Sequence, residues 1–206
     1  LVKQGIRGVT SNPSIFNKAI GGSSDYDDDL KALLAQDPQA PPITLYEGLA
    51  LKDIAAAADA LRPLWDESGA GDGFVSIEVN PKLAHDTEAT VAEARRLWST
   101  LQRPNIMIKI PATDEGLPAI RTVISEGINV NVTLIFSVAM YERVINAYME
   151  GLRRFGETGR PLAGVSSVAS FFVSRVDSLV DGLLEEQIAR GGDHLEDLLG
   201  KAAVAN

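Results

Sequence analysis

Short apolar runs alternate along the chain with longer amphipathic stretches, a pattern typical of repeated βα units that build a parallel sheet. The apolar runs predict five strands, at residues 6–11, 74–79, 105–110, 129–136 and 165–173. The amphipathic stretches predict helices at residues 26–35, 45–65, 84–101, 117–126, 138–155 and 176–190. No linker long enough to separate two domains interrupts this alternation, so the pattern predicts one α/β domain.

The three central strands each have one aliphatic and one polar face, because successive side chains of a strand point to opposite sides. The aliphatic faces are Val75, Ile77 and Val79, then Ile106, Ile108 and Ile110, then Val130, Val132 and Leu134. The opposite faces carry Ser76 and Glu78, then Met107 and Lys109, then Asn129, Asn131 and Thr133. An open sheet with helices on both sides would need two apolar faces. A closed (βα)8 barrel, or TIM barrel, accounts for the polar face, because polar groups near the carboxyl ends of its strands form the active site.

Lys109 lies on the polar face between two isoleucines, so its surroundings disfavour the charged form of its amine. A neutral amine can attack a carbonyl group and form a Schiff base. Forming that imine expels a water and moves protons, a task that suits the carboxylate of Glu78 and the hydroxyl of Thr133. A second interpretation stays open at this point, in which Lys109 and Glu78 are a buried ion pair that fixes the register of the barrel.

The composition narrows the classes of function. With 19 Lys and Arg against 28 Asp and Glu the net charge is −9, so neither nucleic acid nor a membrane surface is an expected partner. The chain has no cysteine and only two histidines, which excludes thiolate chemistry and leaves little for a Ser-His mechanism. No apolar run approaches the roughly 20 residues of a membrane span, and we expect a cytoplasmic protein.

Four segments along the strands and the loops that follow them carry distinctive motifs. They read GVTSNPS at 8–14, SIEV at 76–79, IKIPAT at 108–113 and NVNVTLIF at 129–136. In this order they resemble the transaldolases, class I Schiff-base transferases with a (βα)8 barrel, over nearly the whole chain. The segment SSVASFFVSR at 166–175 is similar to the longer bacterial subfamily, some members of which are fused to a phosphoglucose isomerase module.

The resemblance implies a group transfer between sugar phosphates in the pentose phosphate pathway. Lys109 would take a dihydroxyacetone unit from a ketose phosphate, either sedoheptulose 7-phosphate or fructose 6-phosphate. It would deliver the unit to an aldose phosphate, either glyceraldehyde 3-phosphate or erythrose 4-phosphate. No metal or organic cofactor is implied, because the lysine becomes the electron sink once it is an iminium.

The resemblance also assigns roles to the residues around the lysine. Glu78 and Thr133 would hold the catalytic water. The substrate contacts would be Asn12 and Asn131 on its hydroxyl and carbonyl oxygens, Ser170 on the terminal hydroxyl of the dihydroxyacetone part, Phe172 in the cavity wall and Arg175 on the phosphate. The fork of donors on a guanidinium suits a phosphate group.

Parts of the family pattern are expected outside these residues. An aspartate on the first barrel strand, the acid/base at the substrate's C4 hydroxyl, would precede Leu1. Strands seven and eight, with a second phosphate-binding arginine, would follow Asn206. Because eight strands take about 250 residues, we expect residues 1–206 to be one barrel domain truncated at both ends and inactive by itself.

Two alternatives to a transaldolase are kept. A fructose-6-phosphate aldolase shares the barrel and the lysine but releases free dihydroxyacetone. In that relative the position that matches Glu78 resembles a glutamine, so the glutamate of this chain favours the transferase. A non-catalytic barrel that only binds sugar phosphates is the other alternative, and Lys109 counts against it because a binder needs no lysine flanked by aliphatic residues.

Overall fold

Five parallel strands form the sheet in the computed structural model, which describes residues 4–205. They are β1 (Val9–Thr10), β2 (Val75–Glu78), β3 (Ile106–Pro111), β4 (Val130–Ile135) and β5 (Ser167–Phe171). Each strand pairs in parallel with the next one in the chain, so the order never reverses as it does in a doubly wound sheet. The curled sheet has the arrangement of a (βα)8 barrel over five of its strands, which confirms the predicted α/β barrel class. That residues 1–206 are one domain truncated at both ends stays a prediction.

Helices connect the strands and cover one side of the sheet. They are α1 (Pro13–Gly22), α2 (Asp27–Gln36), α3 (Pro42–Glu67), α4 (Thr87–Leu101), α5 (Gly116–Ser125), α6 (Val138–Glu157), α7 (Ser174–Ile188) and the single turn α8 (Ala202–Ala205). Short 3₁₀ segments lie at Pro81–Leu83 and Asp193–Leu198. The six predicted helices are present, and none of the helices within residues 4–205 is long and apolar enough to cross a membrane.

Capping side chains explain two differences from the predicted helices, one additional helix and one shifted start. Helix α1 was not predicted, although Asn12 accepts a hydrogen bond from the backbone N–H of Ile15 and Pro13 occupies the first helical position. Helix α4 begins at Thr87 and not at residue 84, because Asp86 accepts from the N–H of Ala89 and so caps the helix there.

The hydrophobic core lies between the sheet and the helices, as the alternation predicts. Its fully buried members on the strands include Val75, Ile106, Ile108, Ile110, Val130 and Val132, and Val79 directly after β2 is also fully buried. Its helix members come from α3, α4, α5 and α6, among them Leu61, Leu97, Ile120 and Phe155. The other face of the sheet is polar but also buried at Ser76, Lys109, Asn131 and Thr133. Side chains there are held away from water by their neighbours on the same face.

One prediction about β4 is wrong, because the strand contains a bulge. Leu134 was expected on the aliphatic face, yet its backbone adopts a left-handed conformation with φ of 59° and its side chain is 38% exposed. The register with β5 shifts between Val132 and Ile135, and Ile135 takes the core position instead. A bulge inserts one residue into the pleat, so the faces exchange beyond it. The regular part of β4 therefore ends at Thr133.

Asn129 belongs to the polar face in the sequence pattern, but its contacts join the amino ends of three strands. Its Nδ2 donates to the carbonyls of Pro104 at 2.9 Å and Ile106 at 3.0 Å. Its Oδ1 accepts from the N–H of Ser166 at 2.8 Å. These bonds use both hydrogens of the buried Nδ2 group and hold the amino ends of β3, β4 and β5 together. This is the edge of the sheet opposite to Lys109.

We expect Gly151→Ala in α6 to destabilise the protein by about 1 to 3 kcal/mol, the usual cost of overpacking a core. A Cβ at Gly151 would lie 2.7 Å from Ile124 Cγ2 and 2.9 Å from the carbonyl oxygen of Arg121, both on α5. The matched control is Gly182→Ala in α7, where a Cβ meets nothing within 4 Å. That variant should gain about 0.5 to 1 kcal/mol of helix propensity. Urea unfolding measures both, and equal shifts would contradict the packing described here.

Candidate active site

Three neighbouring strands bring their functional side chains into one row across the polar face. Glu78 of β2 is in register with Lys109 of β3, and Lys109 is in register with Asn131 of β4. Because residues in register on parallel strands point to the same side, these three side chains adjoin one another near the carboxyl ends of their strands. The sequence pattern predicted that these side chains share one face, and the register between the strands aligns them in a row.

The amine of Lys109 is buried and has two oxygen neighbours. Its Nζ donates to the backbone carbonyl of Ser11 at 2.8 Å and lies 3.4 Å from Oε2 of Glu78. The side chains of Lys109 and Glu78 are 9% and 17% exposed. The contact with the carboxylate is longer than the 2.7 to 2.9 Å typical of a charge-assisted hydrogen bond. The Lys109 amine is therefore held mainly by the neutral carbonyl of Ser11, and the carboxylate of Glu78 lies beside it as a group that can take a proton.

Tyr46 of α3 adjoins the carboxylate of Glu78. Burial raises the pKa of Tyr46, and the negative charge of Glu78 raises it further. The two residues line a cavity of about 560 Å³ together with Asn12. The Glu78 carboxylate thus lies beside Lys109 and shares its cavity with the phenol of Tyr46.

Asn131 of β4 is fixed by hydrogen bonds to side chains of β2 and β5. Its Nδ2 donates to Oγ of Ser76 at 3.1 Å, and its Oδ1 accepts from Oγ of Ser170 at 2.9 Å. The three residues come from β2, β4 and β5, so the network links the polar side chains of strands on both sides of β3. A cavity of about 550 Å³ opens on the same face and is lined by Ser76, Met107 and Asn131.

Thr133 lies on β4 two residues beyond Asn131, toward the carboxyl edge of the sheet. It is in register with Pro111 of β3 and shares its face with Asn131, two residues before it. Its side chain is buried, and its backbone carbonyl accepts from the N–H of Ala112 at 2.8 Å. Thr133 therefore follows Asn131 on the same face of β4, closer to the carboxyl end of the strand.

Phe172 and Arg175 form a separate pair at the end of β5. The N–H of Phe172 donates to the carbonyl of Ile135 at 2.8 Å, which ties the segment to the end of β4. The guanidinium carbon of Arg175 lies 4.3 Å above the centroid of the Phe172 ring. Arg175 is exposed in the first turn of α7, where backbone N–H groups and the helix dipole also favour an anion.

The structure brings six of the predicted site residues together in three contacting pairs, one of which is Phe172 with Arg175. Lys109 contacts Glu78, while Ser170 contacts Asn131. Asn12 caps α1 through its Oδ1, which leaves its Nδ2 group as the part that would bind a substrate oxygen. The roles assigned to these residues stay predictions.

Three residues of the site were given no role by the sequence. Ser76 could have been found, because it precedes Glu78 by two positions and therefore shares its face. Ser11 and Tyr46 could not, since each meets the site through a tertiary contact. The bond from Lys109 to Ser11 joins residues 98 positions apart.

Comparisons with known proteins agree with this arrangement. The sequence profile of the family described as Transaldolase/Fructose-6-phosphate aldolase matches residues 1–206. A protein named Transaldolase from Trichodesmium erythraeum is 49% identical over 99% of this chain and 54% of its own length. Transaldolase 1 from Streptomyces avermitilis is 53% identical over 97% of the chain and 51% of its own length. A Transaldolase from Acidothermus cellulolyticus is also 53% identical, with coverages of 97% and 52%.

The chain spans about half the length of the curated relatives it matches. Both the profile and these relatives nevertheless cover nearly all of its residues, including the row across β2, β3 and β4. The parallel strands in chain order and the buried lysine on their polar face are consistent with the same assignment. The chain therefore belongs to the transaldolase/fructose-6-phosphate aldolase family.

Proposed function

We propose that the complete gene product is a transaldolase that moves a dihydroxyacetone unit between sugar phosphates through a Schiff base on Lys109. The observation that carries the proposal is the buried amine of Lys109, with Glu78 Oε2 3.4 Å away on the polar face. The relatives named transaldolase support it at about half identity over nearly the whole chain. We include a cytoplasmic location in the proposal, since the substrates are metabolites and the chain needs no disulfide.

Lys109 attacks the ketone carbon of the donor, and the ketone oxygen leaves as water. The ammonium must first lose a proton, and Glu78 is the adjacent base that can take it. The same carboxylate then returns a proton to the departing oxygen. In this proposal the Thr133 hydroxyl, on the same face of the sheet, helps to hold the water that forms. The resulting iminium withdraws electrons from the carbon–carbon bond that breaks, so no metal or organic cofactor enters the proposal.

The hydrogen bonds around Asn131 restrict how a substrate can bind. The Ser170 hydroxyl already donates to Oδ1 of Asn131, so toward a substrate hydroxyl it acts as an acceptor. One hydrogen of the Asn131 Nδ2 group is used by Ser76, and the other is left for a substrate oxygen. Substrate hydroxyls that donate to Ser170 and accept from Asn131 fit this pattern.

The phosphate of the substrate binds at Arg175 in this proposal. Its guanidinium lies over the ring of Phe172, and the amino terminus of α7 adds donors from the backbone. The site lies at the carboxyl edge of the sheet, the same edge at which Lys109 emerges.

Arg175→Lys should raise the KM for fructose 6-phosphate about tenfold while kcat changes less than about twofold, because one charged hydrogen bond of ground-state binding is lost. Arg160→Lys is a matched control: Arg160 also lies over a phenylalanine, 4.4 Å from the centroid of Phe155, but near the opposite edge of the sheet. Steady-state kinetics on both variants are the measurement. Equal KM values for Arg175→Lys and the unaltered enzyme would remove Arg175 from the phosphate site.

The ion-pair interpretation of Lys109 and the aldolase alternative differ from the proposal in defined ways. A purely structural ion pair between Lys109 and Glu78 would be expected at a closer distance than 3.4 Å, with the lysine's short hydrogen bond going to the carboxylate and not to Ser11. A fructose-6-phosphate aldolase would release dihydroxyacetone whether or not an acceptor aldose is present. Glu78, in place of the glutamine expected there, supports the transferase.

The test is an assay of the complete gene product with fructose 6-phosphate, with and without erythrose 4-phosphate. We expect sedoheptulose 7-phosphate and glyceraldehyde 3-phosphate to form when the acceptor is present, with little free dihydroxyacetone. Borohydride added with fructose 6-phosphate alone should give an irreversible adduct that maps to Lys109. Free dihydroxyacetone as the main product would identify an aldolase, and no adduct at all would identify a binding protein.

A further inference from the structure

The carbonyl oxygen of Ser11 is the closest acceptor to the Lys109 amine, at 2.8 Å. Ser11 follows β1 directly and is itself buried, so water does not compete for this oxygen. The contact is shorter than the 3.4 Å separation between the amine and Glu78. A group this close to a reactive nitrogen influences which way its hydrogens point.

Hydrogen bonds made by the rest of Ser11 fix the position of its carbonyl group. Both the backbone N–H and the Oγ of Ser11 donate to the carbonyl of Ser76, at 3.2 Å and 2.9 Å. On the other side, the cap that Asn12 makes to Ile15 fixes the next peptide at the start of α1. The hydroxyl of Ser11 thus completes a clamp between β1 and β2, and the clamp aims the carbonyl at Lys109.

Condensation of the lysine ammonium with a ketone forms an N–C bond and breaks the ketone C=O bond. The oxygen leaves as water with two of the three hydrogens on nitrogen, and one N–H stays on the protonated imine. A peptide carbonyl accepts a hydrogen bond from this N–H but is no base in neutral solution, so it cannot remove the proton. Glu78, by contrast, can take a proton and return it.

Resting on the function proposed above, we propose that Ser11 is a positioning residue, whose clamped carbonyl orients the Lys109 amine and holds the N–H of the protonated imine. The carbonyl and the carboxylate then divide the work at one nitrogen. Ser11 keeps one hydrogen in place and so sets the direction of the lone pair during attack. Glu78 exchanges the hydrogens that must leave.

The test compares Ser11→Ala, which removes the clamping hydroxyl, with Ser11→Thr, which keeps it and suits extended backbone. In the complete gene product, the rate of borohydride trapping with fructose 6-phosphate and kcat should both fall about fivefold to tenfold in Ser11→Ala, the worth of one buried hydrogen bond. KM should change less than about twofold, and Ser11→Thr should restore most of the rate. Ser14→Ala, on the exposed side of α1, is the matched control.

Each outcome decides something. If Ser11→Ala traps and turns over like the unaltered enzyme, or if Ser11→Thr loses as much as Ser11→Ala while thermal unfolding shows both to be folded, the clamp is not what positions the lysine. If the unaltered enzyme forms no adduct on Lys109, the proposed function fails, and the imine role of Ser11 fails with it. A fall in kcat that the threonine rescues, at constant KM, supports the positioning role.

Discussion

Replacing Lys109 with arginine should reduce transfer by about a thousandfold or more and abolish borohydride trapping. Arginine keeps the positive charge but its guanidinium cannot form an imine at neutral pH, so the covalent step is lost while the charge beside Glu78 remains. The lysine side chain is only 9% exposed, in contact with Ser11 and Glu78. The measurements are the coupled transfer assay and peptide mapping after borohydride treatment with fructose 6-phosphate.

Two further variants separate chemistry from packing. Lys109→Met has nearly the same length without charge, so it removes the nucleophile without adding volume to a buried position. Lys31→Arg in α2 makes the same exchange as Lys109→Arg on an exposed lysine, and should leave both activity and trapping unchanged. If the adduct persists in Lys109→Met, or maps to another lysine in the unaltered enzyme, Lys109 is not the nucleophile.

The sequence predicted the part of the site that depends on strand periodicity. Alternation alone places Glu78, Lys109 and Asn131 on one face, because a strand repeats every two residues and register is fixed where the other face is buried. The polarity of that face also excluded a sheet covered on both sides, and the strand order agrees. The fold and the row of catalytic candidates thus followed from local chemistry.

What the sequence could not give depends on backbone irregularity and tertiary contact. The bulge at Leu134 breaks the alternation without any glycine or proline to mark it. The Ser11 carbonyl is a backbone atom, so no residue type announces that it would face Lys109 from 98 positions away. Helix α1 was missed for a different reason: its start is marked by Asn12 and Pro13, a signal that could have been used.

Glu78→Gln should slow dihydroxyacetone transfer about a hundredfold and raise the proportion of dihydroxyacetone released free. The amide keeps the shape of the carboxylate and can still accept a hydrogen bond from Lys109, but it cannot take a proton from the amine or return one to the departing oxygen. Imine formation should therefore slow, and the products should shift toward those of the aldolase alternative, which resembles this chain with a glutamine at position 78. Parallel assays of transfer and of free dihydroxyacetone give the two rates.

The glutamine variant also tells the two interpretations of the Lys109–Glu78 pair apart. If Glu78 served only to neutralise a buried lysine, the amide would leave that charge uncompensated and the free energy of unfolding should fall by several kcal/mol. Because the Ser11 carbonyl already accepts from Nζ at 2.8 Å, we expect a smaller loss, about 1 kcal/mol. Glu88→Gln at the exposed start of α4 is the matched control for both measurements. A large loss of stability with an unchanged transfer rate would make Glu78 a structural partner of the lysine and remove it from the chemistry.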